Sequence, residues 1–138
     1  MGFSKEKYKA KKVKMKRSSA GIGLFADELI KRNDFIIEYV GDTISLNEAN
    51  KRGGKYLFEV SPRRFVDGKS RKNIARYINH SCRPNCEVDI VRGRVLVYAR
   101  CSIKVGDELH YDYGKEYFDD HIKPFGCKCS HCVVKKEA

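Results

Sequence analysis

The sequence predicts a mainly β fold with few short helices, in a single domain. Short runs rich in β-branched and aromatic side chains recur along the chain, separated by glycine, proline or asparagine, as is typical of short strands. One segment, Ser45–Glu48, carries the serine-to-glutamate spacing of a helix start. The chain has 138 residues, a length that allows one hydrophobic core.

The first part of the chain predicts strands joined by tight turns. A strand is expected over about 13–17, and Gly21–Gly23 predicts a turn into 24–26, because glycine lets backbone approach a neighbour closely. The segment 34–41 is the strongest strand prediction. Within it, Glu38 interrupts an apolar run and is either an edge-strand charge or an internal polar anchor.

A short helix and two further strands are expected next. The helix begins at the Ser45–Glu48 capping box and runs to about Lys51, and two glycines then end it. Strands at 56–60 and 64–67 follow, joined at Pro62.

The stretch Asn73–Cys86 combines features that ordinary core segments do not combine. Because Pro84 fixes its φ and removes a donor, a helix through Arg76 is expected to stop near Asn79. The polar triplet Asn79–Ser81 then lies on a helix-to-loop corner, where backbone and side chains can face a ligand. A plain turn with a hydrogen-bonded histidine is the alternative interpretation.

The chain after this stretch predicts a hairpin and a strand with two tyrosines. Segments 87–91 and 94–101 flank an Arg-Gly pair and form the hairpin. In the strand predicted at 108–114, Tyr111 and Tyr113 share one face, because side chains on a strand repeat every two residues.

The charge of the chain is strongly positive and uneven. The net charge is +11, and residues 1–17 hold seven lysines and one arginine against one glutamate. A basic arm over residues 1–12 suits DNA, a nucleosome or another anionic partner, and a solvated tail is the alternative. No apolar run is long enough for a membrane span, and the N-terminus lacks the apolar centre of a secretory signal. We therefore expect an intracellular protein, cytoplasmic or nuclear.

Several motifs, in this order, resemble those of the SET domain, the lysine methyltransferase fold. The matching segments are Gly21–Gly23, Glu38–Gly41, Tyr56–Phe58, Arg76–Cys82 and Gly106–Gly114, within a resemblance that runs from about Lys16 to Cys132. It implies small curved sheets around a knot-like core, in which the C-terminal segment passes through a loop of the preceding chain. It also implies transfer of a methyl group from S-adenosylmethionine to a lysine side chain.

The resemblance further implies roles for individual residues. Tyr113 matches the catalytic tyrosine, and Tyr56 lines the lysine channel with Phe58 nearby. Tyr111 falls where a phenylalanine or tyrosine sets the number of methyl groups, and a tyrosine there predicts mono- or dimethylation. For each tyrosine the alternative is a core aromatic with a hydrogen-bonded hydroxyl. The residues implied to bind the cofactor are Gly21, Ile22, Gly23, Arg76, Asn79, His80 and Tyr113. For Arg76 the alternative is an ion pair with Glu108 or Asp112, which are expected to brace the knot.

The C-terminal cysteines resemble a post-SET zinc module. Six cysteines in a chain without an export signal already favour metal ligation or reactive thiols over disulfides. The implied ligands of one structural zinc ion are Cys82, Cys127, Cys129 and Cys132. Only Ser130 and His131 separate the last two cysteines, fewer than is usual in the family, which predicts a differently shaped loop; His131 is a fallback ligand. Cys86 and Cys101 are expected to be buried thiols. The expected boundaries are 13–118 for the SET domain and 119–138 for the tail.

Two classes of function follow from the sequence. The first is a lysine methyltransferase that acts on a histone tail or another basic protein. The second is a non-enzymatic module that binds chromatin or nucleic acid, and a zinc-ribbon DNA reader is a weaker third. A basic substrate needs either a local acidic groove or an arm docked on DNA beside it. The candidate groove residues are Glu59, Glu116, Asp119 and Asp120.

Overall fold

The computed structural model describes residues 8–19 and 21–114, and within them the chain forms short strands, one α-helix and one 3-10 helix. The predictions on residues 1–7, 20 and 115–138, among them the tail cysteines, lie outside this part. The elements are β1 Val13–Ser18, β2 Gly21–Ala26, β3 Phe35–Tyr39, β4 Asp42–Ser45, α1 Leu46–Arg52, β5 Leu57–Ser61, β6 Arg64–Asp67, the 3-10 helix Ile74–Tyr77, β7 Asn79–His80, β8 Cys86–Val91, β9 Arg94–Ala99 and β10 His110–Tyr111.

The described strands form four small sheets, so the predicted mainly β class is confirmed. β1 pairs with β2, and the orders of the two larger sheets are β3-β9-β8 and β4-β6-β5. These pairings are antiparallel, whereas β7 and β10 pair in parallel. β9 is the central strand of its sheet, and its residues Val95, Leu96 and Val97 are buried in the core.

The helix and the hairpin follow the sequence prediction closely. The hydroxyl of Ser45 accepts a hydrogen bond from the amide of Glu48 at 3.2 Å, and α1 ends at Gly53, which has a φ of +59°. The hairpin β8–β9 turns through Arg92 and Gly93, whose φ angles of 52° and 79° are both in the left-handed region. Two such residues make the turn that matches the twist of paired strands.

Glu38 is an edge-strand charge with a specific partner. β3 is the edge of its sheet, and the carboxylate of Glu38 accepts two hydrogen bonds from the guanidinium of Arg94, at 2.6 and 3.1 Å. The pair is bidentate, which favours one orientation of both side chains. The edge-charge interpretation of Glu38 is therefore the one that fits.

The secondary structure differs from the predictions at four places, the first of which is the unpredicted strand β4. Gly21–Gly23 is the start of β2 rather than a turn, and Gly21 has a φ of +102°. The helix before Asn79 is a single 3-10 turn that ends at Tyr77, because the backbone turns extended at Ile78 to enter β7. The strand predicted at 108–114 is reduced to two residues, since Asp112 caps a turn by accepting a hydrogen bond from the amide of Gly114.

Within residues 8–19 and 21–114, no helix is both long and apolar enough to cross a membrane.

Candidate functional site

The parallel pair β7–β10 brings the central polar triplet next to the second tyrosine segment. Asn79 lies opposite His110, and His80 lies opposite Tyr111. The amide of Ser81 also donates to the carbonyl of Tyr111 at 3.2 Å. Two motifs about thirty residues apart in sequence therefore form one corner of the fold.

Asn79 fixes this corner to β1, β2 and the segment before β10. Its side-chain nitrogen lies 3.1 Å from the hydroxyl of Ser18, 3.1 Å from the carbonyl of Ile22 and 3.0 Å from the carboxylate of Glu108. A Cβ added at Gly23 would lie 2.3 Å from that carboxylate, so glycine at this position leaves the space that the carboxylate occupies. Glu108 therefore braces the corner through Asn79.

Asn85 holds the same corner from the other side, a role that the sequence reasoning missed. Its amide nitrogen donates to the carbonyl of Glu108 at 2.8 Å, and its amide oxygen accepts from the backbone of His110 at 2.9 Å. An asparagine side chain can imitate a peptide group in this way. The Arg-Pro-Asn sequence in the predicted turn was the available signal.

His80 is a buried imidazole whose exposed fraction is 7%. Its Nδ1 accepts a hydrogen bond from the backbone amide of Tyr113 at 3.1 Å, so the neutral ring carries its proton on Nε2. Burial lowers the pKa of His80, and the carboxylate of Asp112, 3.7 Å from Nδ1, opposes this shift. The neutral imidazole of His80 thus accepts a hydrogen bond from the backbone of Tyr113 and orients that segment.

A row of aromatic rings extends from this corner into the core. The ring centroids are 4.9 Å apart for Tyr111 and Tyr113, 6.4 Å for Tyr111 and Phe58, and 5.4 Å for Phe58 and Tyr39. The hydroxyl of Tyr39 donates to the carbonyl of Tyr56 at 2.7 Å. Tyr39 was not among the predicted site residues, although its place in the Glu-Tyr-Val-Gly segment was a signal.

The hydroxyl of Tyr113 donates a hydrogen bond to the backbone carbonyl of Ile78. A phenol oxygen whose proton is donated in this way keeps its lone pairs as acceptors. The ring of His80 packs edge-on at 5.4 Å from the ring of Tyr113. The position of the phenol is therefore set both by its backbone and by its hydroxyl.

Arg76 lies beside the row and not in the ion pair with Glu108 or Asp112 that was the alternative to its cofactor-binding role. Its guanidinium stacks at 4.3 Å on the ring of Tyr56 and at 5.2 Å on the ring of Tyr77, and it donates to the carbonyl of Lys69. In the described part of the chain, the nitrogen Nε is buried without a hydrogen-bond acceptor. Arg76 thus bridges the 3-10 helix and the loop before it. The carboxylate of Glu108 accepts a hydrogen bond from Asn79, and the carboxylate of Asp112 lies beside His80.

The described cysteines differ from one another. Cys86 is buried as expected, and burial raises the pKa of its thiol to about 12. The prediction of a buried thiol was wrong for Cys101, which is exposed because it follows the end of β9. Cys82 is exposed, and its sulfur lies 3.5 Å from Nε2 of His80.

Of the four implied zinc ligands, Cys82 lies in the described part of the chain. No group of three or more potential ligands in residues 8–19 and 21–114 is arranged to hold a metal ion. Cys127, Cys129 and Cys132, the other three implied ligands, lie outside those residues.

The geometry brings most of the predicted site residues together. Asn79, His80, Tyr111 and Tyr113 lie at the corner, and Tyr56 and Arg76 lie next to each other at the far end of the aromatic row. The backbone of Ile22 contacts Asn79, its side chain is 52% exposed, and a Cβ at Gly21 would meet no atom within 4 Å. An open backbone surface thus adjoins the polar corner.

This fold and this corner define the chain as a SET-domain protein. The SET-domain family model matches residues 21–114, which is most of the chain, and the chain belongs to that family.

Similar proteins carry names that refer to histone methylation. The chain is 37% identical over 137 residues to the histone-lysine N-methyltransferase set-2 of Caenorhabditis elegans, covering 89% of this chain and 9% of that protein. It is 39% identical over 121 residues to the H3 lysine-4 specific histone-lysine N-methyltransferase of Schizosaccharomyces pombe, covering 78% of this chain and 13% of that protein. The chain therefore spans about a tenth of the length of these relatives.

A solved structure shares the fold. A chain in the crystal structure of the Chaetomium thermophilum polycomb repressive complex 2 matches with a TM-score of 0.71 and 35% identity, over 77% of this chain and 16% of that chain.

We expect the corner to make stability depend on pH through His110. Burial lowers the pKa of His110, and the carboxylate of Glu108, 3.3 Å from Nε2, opposes the shift. The unfolded chain then binds more protons between this lowered pKa and the ordinary value of about 6.5. The contribution of the neutral His110 ring to the free energy of unfolding is complete above about pH 6.5. It is lost as the pH falls from about 6.5 through the lowered pKa of the folded protein. Urea unfolding should therefore show a falling free energy below pH 6.5, with a smaller slope in His110→Gln. Equal slopes in the two proteins would contradict this assignment.

Proposed function

We propose that this chain is a protein-lysine N-methyltransferase that transfers a methyl group from S-adenosylmethionine to a lysine side chain. The observation that carries the proposal is the corner itself: the phenol of Tyr113 lies beside His80, at one end of a row of aromatic rings. The names of the relatives support the same reaction.

The aromatic row suits a lysine that must arrive uncharged. S-adenosylmethionine supplies a methyl group on a cationic sulfonium, which a neutral amine can attack. Lysine has a pKa of about 10.4, so neutralising it at pH 7 costs about 4–5 kcal/mol. A channel between Tyr56, Phe58 and Tyr111 would lower that cost by disfavouring the charged amine. The lone pairs of the Tyr113 hydroxyl would orient the amine for in-line attack.

The polar corner supplies groups that fit the cofactor. The open backbone at Gly21 and Ile22 offers peptide groups to the methionine end, and Gly23 keeps the adjoining space free for the carboxylate of Glu108. The amide nitrogen of Asn79 lies within hydrogen-bonding distance of three protein oxygens, which share its two N–H donors, so its amide oxygen is the atom left to accept from the cofactor's amino group. Backbone groups of the buried His80 would hold the adenine, and Arg76 would lie near the cofactor.

A zinc ion held by Cys82 and the three tail cysteines remains part of the proposal. Cys82 is exposed at the end of the corner segment. Four thiolates make a closed structural site, so the ion would attach the tail, residues 119–138, to the corner.

The substrate is proposed to be a histone tail or another basic protein. This rests on the relatives' names and implies a place of action in the nucleus or wherever such proteins are bound. Since the chain carries a net charge of +11, the basic arm over residues 1–12 would dock on DNA beside the substrate.

Tyr113→Phe should lower the methyl-transfer rate about 100-fold or more, because the hydroxyl that orients the amine is lost. The measurement is transfer of labelled methyl from S-adenosylmethionine to histone peptides at saturating cofactor. Tyr98→Phe is the matched control, since this tyrosine packs on Phe35 outside the aromatic row. Full activity of Tyr113→Phe would refute the catalytic role.

Tyr111→Phe should raise the number of methyl groups added per lysine. The tyrosine hydroxyl crowds the amine, so the wild type is expected to stop at mono- or dimethyl-lysine, and removal of one oxygen makes room for a further methyl. Mass spectrometry of the peptide product at matched total turnover measures the distribution. An unchanged distribution would exclude Tyr111 as the residue that sets it.

Cys82→Ser should remove the zinc ion. We expect about one zinc per wild-type chain by elemental mass spectrometry and a loss of most of it in the variant, because three thiolates remain from four. Cys101→Ser is the control, as this thiol is also exposed. Equal zinc in Cys82→Ser and the wild type would remove Cys82 from the ligand set.

A further inference from the structure

Among the described residues, the strand β1 has one edge without a partner strand. It pairs with β2 on one side, from Val13 opposite Ala26 to Ser18 opposite Gly21. On the other side β3 covers only the beginning, where the amide of Lys11 donates to the carbonyl of Ile36 at 2.8 Å. From Val13 onward, no other strand of the described chain pairs with that side.

The hydrogen bonds of β2 show which peptide groups of β1 face outward. The carbonyl of Leu24 accepts from Leu109, and the amide of Ala26 donates to Asp107, so both groups point away from β1. The carbonyl of Ile22 likewise accepts from Asn79. In an antiparallel pair, two residues directly opposite each other direct their peptide groups either both toward the partner strand or both away from it. The residues of β1 opposite these three positions therefore also direct their peptide groups away from β2.

The outward peptide groups on β1 therefore belong to Val13, Met15 and Arg17, which lie opposite Ala26, Leu24 and Ile22. No backbone partner for these groups exists among residues 8–19 and 21–114. Lys14 and Lys16 occupy the alternate positions, whose peptide groups face β2.

The side chains along this edge alternate in chemistry. Lys14 and Lys16 are exposed on one face of the strand, and the Nζ of Lys16 lies 5.2 Å above the ring of Phe25. Met15 lies on the opposite face and is 53% exposed. Residues 8–19 contain five lysines and one arginine and no acidic residue.

We propose that the open edge of β1, Val13–Arg17, binds an acidic peptide segment of a partner protein as an added strand. The segment would alternate acidic residues, facing Lys14 and Lys16, with apolar residues that pack on Met15. Outward amides and carbonyls of β1 would supply the main-chain hydrogen bonds. This site lies outside the aromatic row and does not depend on methyl transfer.

Charge and hydrogen bonding select this partner over two others. A second copy of β1 would place lysines against lysines across the new pair, which is destabilising. DNA would satisfy the lysines but offers no regular row of donors to the outward carbonyls of Val13, Met15 and Arg17. An acidic peptide supplies both the charge and the donors.

The proposal is tested with the full chain and a short fluorescent peptide of alternating glutamate and valine. Fluorescence anisotropy should detect binding of this peptide and not of a control with the same composition in two blocks. Two further peptides carry N-methyl groups on the backbone nitrogens of every second residue, in one peptide on the glutamates and in the other on the valines. Only one of the two should lose binding, because only one set of backbone amides faces β1. The double variant Lys14→Glu with Lys16→Glu should bind about tenfold more weakly. The double variant Lys31→Glu with Lys104→Glu, exposed lysines elsewhere, should bind like the wild type.

Hydrogen exchange gives the structural readout. On addition of the peptide, the amides of Met15 and Arg17 should gain protection, whereas those of Lys14 and Lys16 should already be protected. Protection of Met15 and Arg17 without peptide would mean that the chain closes its own edge, and the proposal would be overturned. Equal binding of the blocked peptide would show that charge alone acts and would overturn it as well.

Discussion

The candidate site depends on a parallel pairing of only two residues on each strand, Asn79–His80 with His110–Tyr111. A pair this short is not stable alone, because parallel strands need support from neighbouring structure. Two asparagine side chains supply much of that support. Asn79 ties the pair to β1, β2 and Glu108, and Asn85 bonds the backbone on both sides of Leu109. The arrangement of the aromatic row follows from these amide bonds rather than from a large sheet.

Much of the fold was predictable wherever a local rule decides the conformation. The capping serine placed α1, and the Arg-Gly pair placed the hairpin turn, because both depend on residues next to each other in the chain. The strand pairings were not predictable, since register depends on residues far apart. Gly21–Gly23 shows the limit: glycine fits a turn and the start of a strand equally well, and the neighbouring segment decided between them.

The site was predicted more fully than the sheets, because its motifs resemble those of a known family. The residues that the motifs name, such as Tyr113 and Asn79, do meet at one corner. The contacts that hold them were not predicted. Asn85 looks like part of an ordinary turn, and nothing in the sequence indicates that Arg76 stacks on two tyrosine rings. Stacking and amide bonds of this kind leave no spacing pattern in a sequence.

The two glycines of Gly21–Gly23 answer different physical demands. Gly21 supplies a left-handed backbone angle, whereas Gly23 supplies empty volume that the end of the Glu108 side chain fills. A methyl group at position 23 would displace the carboxylate of Glu108 from Asn79. It would therefore disturb the polar corner indirectly. A substitution at Gly23 therefore acts on the corner through the end of the Glu108 side chain, and a shorter acid at position 108 would relieve the contact.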